Sequence, residues 1–408
     1  VTEKRLDRPR AAVAGCYSID ICPGFAGTGK DFGEIIKPGA ITRITGNDMF
    51  PGGSAPNTGL AMNIFGVEPV FLGKIGNDAF GGMLLDMMRA QLAAGSDAAL
   101  EALCVDENAP TAYSLILAPE GLDRAILQNP GANDEFCFDD IDWEKLSGCR
   151  LLHFGHPPTI RRFYEDEGAQ LRELFRTARE RGMATSLDLC AVDPASDAAK
   201  EDWRKILKNV LPYVDFFLPS AVELDQMLHG AGRTGSGEAA AEVLAHGTDD
   251  ELHDAVRTLA EESVGIGASN LVIKLGSRGF YYRNADDLSA VAERLGRVRG
   301  AEGAGVQSRA DAESGGQADG LANAGMDDWA GREGFAPARS VEEVSGLGAG
   351  DTFIGAYLAG LLRGFSFDAT IECARAEGAL CVTQRSATGG LVPFERLSGL
   401  FGDTLRIH

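Results

Sequence analysis

Ser345-Gly346-Leu347-Gly348-Ala349-Gly350-Asp351-Thr352 stands between a β-forming run, Val341 to Val344, and a stretch, Phe353 to Leu362, whose large apolar residues recur at helical spacing. A glycine-rich turn therefore opens directly onto a helix. Glycines let backbone N–H groups converge on one point, and the positive end of the helix dipole lies there too, so the turn suits an anion such as phosphate. Asp351 falls in the first helical turn. Beside a phosphate-sized nest its carboxylate can complement the dipole or take a proton from an attacking hydroxyl.

Around this turn lie 408 residues, 44% of them hydrophobic, enough for a sizeable core. With 60 acidic against 38 basic side chains, the formal charge of −22 opposes affinity for nucleic acid or anionic membrane. Eight cysteines at 16, 22, 104, 137, 149, 190, 373 and 381 form no C-x-x-C pair, which predicts free thiols and a reducing cytoplasm. No apolar run reaches the ~18 residues of a membrane span, and Val1 to Arg10 is charged rather than signal-like.

Ala11 to Gly15 reads as a buried first strand ending near Asp20. Gly24 to Lys30 fits most of a P-loop, but Asp31 stands where the metal-binding Ser/Thr belongs; Asp31-Phe32-Gly33 resembles a protein-kinase tripeptide without its companion motifs. Both readings are set aside. Glu34 to Ile36 and Ala40 to Ile44, separated by Lys37-Pro38-Gly39, predict a short β-hairpin. Gly52-Gly53-Ser54-Ala55-Pro56-Asn57 then leads into a second helix, with Leu60/Ile64 and Ala61/Phe65 at i,i+4. Further on, Val70–Gly73 predicts a strand, Phe80–Leu92 a helix, and Thr111–Leu117 with Arg124–Leu127 a strand pair. Strands at Leu151–Phe154, Thr185–Leu189, Asp215–Leu218 and Leu271–Leu275 alternate with helices at Gly168–Arg181, Lys200–Val210, Ala221–Leu228 and Glu251–Glu262. Such alternation predicts an α/β fold, a mainly parallel sheet with helices on both faces. Gly230 to Asp250 and Gly300 to Gly325 are small, polar and acidic and read as mobile surface insertions in one domain spanning 11–400.

Gly346-x-Gly-x-Gly350-Asp351 is not the dinucleotide pattern, whose sixth position is Gly, so a nicotinamide-dependent oxidoreductase fails on spacing. Taken with Gly52-Gly53-x-x-x-Asn57, it resembles the PfkB, or ribokinase-like, family of carbohydrate kinases. The landmarks run in that family's order: Asp20, Gly52-Gly53-x-x-x-Asn57, Leu72 to Asp78, Asn129-Pro130-Gly131-Ala132-Asn133, Pro219-Ser220-x-x-Glu223, Lys274-Leu275-Gly276-x-x-Gly279 and Gly348-Ala349-Gly350-Asp351. The resemblance covers nearly the whole chain.

It implies a three-layer α/β/α domain and phosphoryl transfer from ATP with Mg²⁺ to a hydroxyl of a sugar or nucleoside. Asp351 is then the general base, and the N–H groups around Gly348, Ala349 and Gly350 form the anion hole. Asp20 and Asn57 hydrogen-bond the acceptor, with Gly52 and Gly53 permitting close approach. Glu223 helps hold Mg²⁺ through water, and Lys274, Gly276 and Gly279 line the nucleotide side. Residues 34–45, with 111–128, supply a small β lid, which is also a possible homodimer surface. Plainer roles stand beside these: Asn57 as a helix N-cap, Asp20 as a strand end, Glu223 as a dipole partner and Lys274 as a solvated strand end. The six histidines form no clustered metal motif, and His153 and His156 read as packing or a pocket wall. Two departures are present. Ser345-Gly346-Leu347 replaces the family's Asp-Thr, which leaves the monovalent-cation site in doubt, and Ser220-x-x-Glu223 replaces Asn-x-x-Glu. The rival functions are a nucleoside kinase of the same fold and a non-catalytic sugar- or nucleotide-binding regulator.

Overall fold

The computed structural model describes residues 8–401 apart from 27–28, 30, 94–95, 121, 123, 231–241, 244–245 and 297–325. Its fourteen strands in the described residues are β1 (Arg10–Gly15), β2 (Ser18–Phe25), β3 (Ile44–Gly52), β4 (Glu68–Leu72), β5 (Lys74–Gly76), β6 (Cys104–Asp106), β7 (Tyr113–Leu117), β8 (Ala125–Asn129), β9 (Cys149–Gly155), β10 (Ala184–Leu187), β11 (Phe216–Phe217), β12 (Asn270–Lys274), β13 (Phe280–Arg283) and β14 (Glu333–Ala336). Eight form one sheet in the order β14-β13-β12-β11-β10-β9-β1-β4. From β4 to β12 every pairing is parallel, and only the edge pairings β12–β13–β14 are antiparallel.

Alternate residues of each strand enter opposite cores, as the two-residue repeat requires. Ala11 and Val13 of β1 join Phe71, Leu151 and Val272 beneath the helices Ser54–Ile64, Ala349–Leu362 and Phe367–Val382. Ala12 and Ala14 join Leu152, Phe154 and Leu271 against the helices Arg161–Glu180, Trp203–Val210 and Asp249–Gly265. Two separate cores, one on each face, make the three-layer α/β/α domain. A second sheet, β3-β2-β7-β8, stands beyond the carboxyl end of β1. Asn133 fixes the bend between the sheets by accepting from the Tyr17 backbone N–H and donating to its carbonyl, both at 2.9 Å. Among the described residues no helix is long and apolar enough to cross a membrane, and all eight cysteines are free.

Three local expectations need correcting. The stretch 34–44 is not a hairpin: Asp31 accepts from the Glu34 N–H and caps a short helix, Phe32–Ile35, and a turn closes Lys37 to Ala40. Its apolar residues had suggested strands, but Ile41 is fully exposed; the true hairpin pairs β2 with β3 across the whole excursion. Val341 to Val344 is not a strand either. The N–H groups of Val344 and Ser345 both donate to the Val382 carbonyl, at the end of a helix, and the segment pairs with no strand among the described residues, so β-branched residues there have no ladder to join. Asp20 does not end the first strand; it is the third residue of β2, in the second sheet. Of the two acidic insertions, 300–325 and 231–241 lie outside the described residues, while Thr248 caps the helix Asp249–Gly265, which takes in the end of the first.

One buried group is at odds with its surroundings. Glu377, fully buried on the helix Phe367–Val382, has no hydrogen-bond partner for either carboxyl oxygen. Burial drives its carboxyl up to about 8. The folded state therefore holds a proton that the unfolded chain releases near pH 4.5. Stability contributed by that proton is complete below about pH 4.5 and is lost as pH rises toward about 8. Glu377→Gln is expected to raise the melting temperature by several degrees at pH 8 and hardly at pH 4.5. An equal change at both values, read by calorimetry, would refute the assignment of a buried neutral acid.

Candidate active site

The parallel strands bring their carboxyl ends to one edge of the sheet, where open α/β sheets place their sites. A cavity of about 1200 Å³ opens there, between the large sheet and the small one. Of the twelve residues expected from the sequence, all but Gly52 line it.

On one wall Gly348, at φ +73, is the N-cap of the helix Ala349–Leu362. A Cβ there would sit 2.2 Å from Ala387 Cβ, so both the backbone and the neighbour demand glycine. The first intrahelical bond is Thr352 N–H to Gly348 carbonyl at 2.9 Å, which leaves the N–H groups of Gly350 and Asp351 at the helix mouth. Asp351 is buried. Its Oδ2 accepts from Asn57 Nδ2 at 2.9 Å, and its Oδ1 lies 3.6 Å from His156 Nε2. Burial raises the carboxyl, while His156, Asn57 and Lys274 pull it back.

The opposite wall comes from the second glycine turn and β2. Gly53, at φ +92, packs on the Cys16 carbonyl, where a Cβ would come within 2.3 Å. Gly52 does not line the cavity: its missing Cβ makes room for the Asp20 carboxylate, which it would otherwise meet at 2.1 Å. Its service to the site is thus through Asp20. That carboxylate accepts from Ser18 Oγ at 2.9 Å and is pushed up to about 6 by burial, with Asp351 adding repulsion. Asn57 is no N-cap. Gly53 occupies that position, and the Asn57 amide is spent on Asp351.

Lys274 ends β12 and is no solvated side chain. Its Nζ lies 2.7 Å from Asp188 Oδ1, and Asp188, Glu223 and Asp351 together hold it protonated against the cost of burial. Glu223 closes a capping box, its Oε2 accepting from the Ser220 N–H at 3.0 Å and its own N–H donating to Ser220 Oγ at 3.4 Å. The plainer role is therefore real, yet the carboxylate also lines the cavity, and burial raises it while Lys274 restrains it. Gly276 and Gly279, both at positive φ, shape the turn after β12; a Cβ at Gly279 would meet the Ala336 carbonyl at 2.0 Å.

Four cavity residues, Cys16, His156, Asp188 and Cys190, were not recognised in the sequence as site residues. Cys16, His156 and Asp188 each immediately follow a largely buried parallel strand, β1, β9 or β10, a positional signal that carries no motif. His156, read as packing or a pocket wall, lies between Asp351 and Asp188. Its nitrogen and one oxygen from each carboxylate fall within 4.8 Å of one another, a clustering that distant sequence positions hid. With Lys274 already on Asp188, the imidazole completes the charge balance, and we read the group as an ion cluster. As for Mg²⁺, Glu223 is one of several cavity-lining carboxylates, of the hard oxygen type that the ion prefers, so the site's chemistry fits it.

The architecture is of the ribokinase-like class. A ribokinase of Thermotoga maritima superposes with a TM-score of 0.61 at 18% identity, covering 96% of this chain and 98% of that one. An Arabidopsis thaliana ribokinase complexed with ribose and ATP gives 0.63 at 16%, covering 97% and 99%. Residues 31–305 and 319–393 match the pfkB family carbohydrate kinase, and the chain belongs to that family. Among its relatives is a probable fructokinase of Arabidopsis thaliana, 22% identical over 364 residues, which are 86% of this chain and 88% of that protein. The protein is accordingly a kinase.

Proposed function

We propose that the protein transfers the γ-phosphoryl of ATP to a hydroxyl of a sugar, with Asp351 as general base. The observation that carries this is the juxtaposition of Asp351 Oδ1, the glycine turn at the helix mouth and Asp20 around one cavity. An acceptor hydroxyl held by Asp20 would meet Asp351, while the N–H groups around Gly348, Ala349 and Gly350 receive the charge spread over the phosphoryl oxygens. Lys274, Gly276 and Gly279 would flank the nucleotide. Mg²⁺, when bound, supplies charge neutralisation at the phosphates, and Glu223 would hold it through water. The small β3-β2-β7-β8 sheet would serve as the lid that excludes water. Exposed Leu127, on the face of β8 opposite the cavity-lining Ile126, offers a contact for a second copy. We place the enzyme in the cytoplasm, where its thiols stay reduced.

A sugar is preferred over a nucleoside because the relatives named above are a probable fructokinase and ribokinases. The test is ADP release from Mg-ATP across hexoses, pentoses and nucleosides. Turnover with a sugar and not with nucleosides is expected; binding of both substrates without ADP would leave a regulator instead. Sedimentation of the same preparation as a monomer would remove the second-copy reading.

A further inference from the structure

His156 is held in an uncommon conformation. Its φ of 57 and ψ of 51 place it in the left-handed region, uncommon for residues other than glycine although His, like Asn and Asp, enters it more often than most. The Thr159 N–H and Oγ1 both donate to its carbonyl, at 3.0 and 2.7 Å, and fix that backbone at the end of β9. The imidazole is thereby turned over the carboxyl ends of the strands. Nε2 stands 3.6 Å from Asp351 Oδ1 and 3.8 Å from Asp188 Oδ2, and Nδ1 stands 3.9 Å from Cys16 Sγ.

Two buried carboxylates so close together favour protonation of one of them unless a cation intervenes. Asp188 has Lys274 on its other oxygen, whereas Asp351 has a hydrogen bond from the neutral Asn57 and only a weaker pull from Lys274, both behind that of His156. We infer that His156, as an imidazolium, is a positioning residue that keeps Asp351 ionised and its Oδ1 directed into the acceptor cavity. This rests on the reading of Asp351 as the base.

The charged or titratable groups around His156 are Asp351 from the helix Ala349–Leu362, Asp188 beyond β10, Cys16 beyond β1, His153 within β9 and Lys274 at the end of β12. Burial disfavours the imidazolium, but Cys16, Asp351 and Asp188 outweigh it and push His156 up to about 10. His153 is driven the other way by burial, to about 3, and remains neutral on Ser186. Only one of the two histidines therefore supplies charge. Since His156 lowers Asp351, removing it lets burial raise that carboxyl further, and the acid limb of the rate profile must move to higher pH.

The test uses two variants, with kcat/KM measured against pH under saturating Mg-ATP. His156→Asn suits the left-handed backbone and removes the charge; His156→Gln keeps a longer uncharged donor. Both are expected to shift the acid limb upward by about one unit, which is about tenfold in kcat/KM below the limb, and to recover most of the rate on the alkaline plateau. An equal loss at every pH would make His156 merely structural and overturn the inference. Independently of turnover, ring-carbon NMR of the unliganded protein should find His156 protonated through pH 8 and titrating lower in Asp351→Asn. A neutral His156 at pH 7 would also overturn it. A wild-type protein inactive toward every acceptor would instead remove the base reading, with the NMR titration still deciding the charge on His156.

Discussion

Asp351→Asn is expected to lower kcat by about 10²–10⁴-fold while leaving the KM for ATP within a few-fold of its original value. The carboxamide has nearly the volume of the carboxylate, and its oxygen can still accept from Asn57 Nδ2, now at 2.9 Å from Oδ2. What it cannot do is take the proton of the attacking hydroxyl. Folding should not suffer. Burial already works against the charged form of Asp351, so a neutral isostere removes a strained ion rather than a stabilising one. The measurement is ADP release at saturating acceptor beside a thermal melt. A rate within a few-fold of wild type would sink the base assignment, and a lost rate with a lowered melting temperature would point to damage of the Asn57 contact instead.

Much of this site was legible because its chemistry depends on residue types that the backbone itself demands. Gly348 and Gly53 sit at positive φ against close neighbours, so the turns that carry the anion nest and the acceptor wall announce themselves as glycines. The apolar strands were equally plain, since each faces helices on both sides. The small sheet was read less well. Its strands are partly exposed, and β3 includes Asn47, Asp48, Pro51 and Gly52, which suit no strand taken in isolation. Its register on β2 comes from tertiary pairing. Val341 to Val344 failed for the converse reason: strand-forming side chains without an adjacent strand. Asp188 was passed over and His156 was read only as packing or a pocket wall because each is a single polar residue after an ordinary strand. Their meaning comes only from the order of β9, β10 and β12 in the sheet, which brings His156, Asp188 and Lys274 to one edge.

That same order makes Lys274 a matter of stability as well as of nucleotide contact. Lys274→Met is expected to cost about 3–5 kcal/mol in chemical denaturation at neutral pH, because Asp188 would be left in the interior with its main cation gone. Adding Asp188→Asn should restore most of the loss, since a buried amide has no charge to compensate. The pH dependence supplies the sign. Burial raises Asp188, and Lys274 is the first of the groups that lower it, so in the single variant the carboxyl takes up a proton more readily. A folded-state pKa raised above the unfolded value gives stability that is full at low pH and falls as pH rises, so the deficit of Lys274→Met should be smaller at pH 5 than at pH 8. A deficit independent of pH, or a double variant no better than the single one, would mean that Lys274 acts by packing its stem against its neighbours. In that case the ammonium, whose Nζ would lie 3.4 Å from a Cβ added at Gly350, would be poised for phosphate alone. If instead the double variant regains stability without regaining activity, the pair has two separable duties: neutralising Asp188 in the fold, and presenting a positive charge beside the glycine turn.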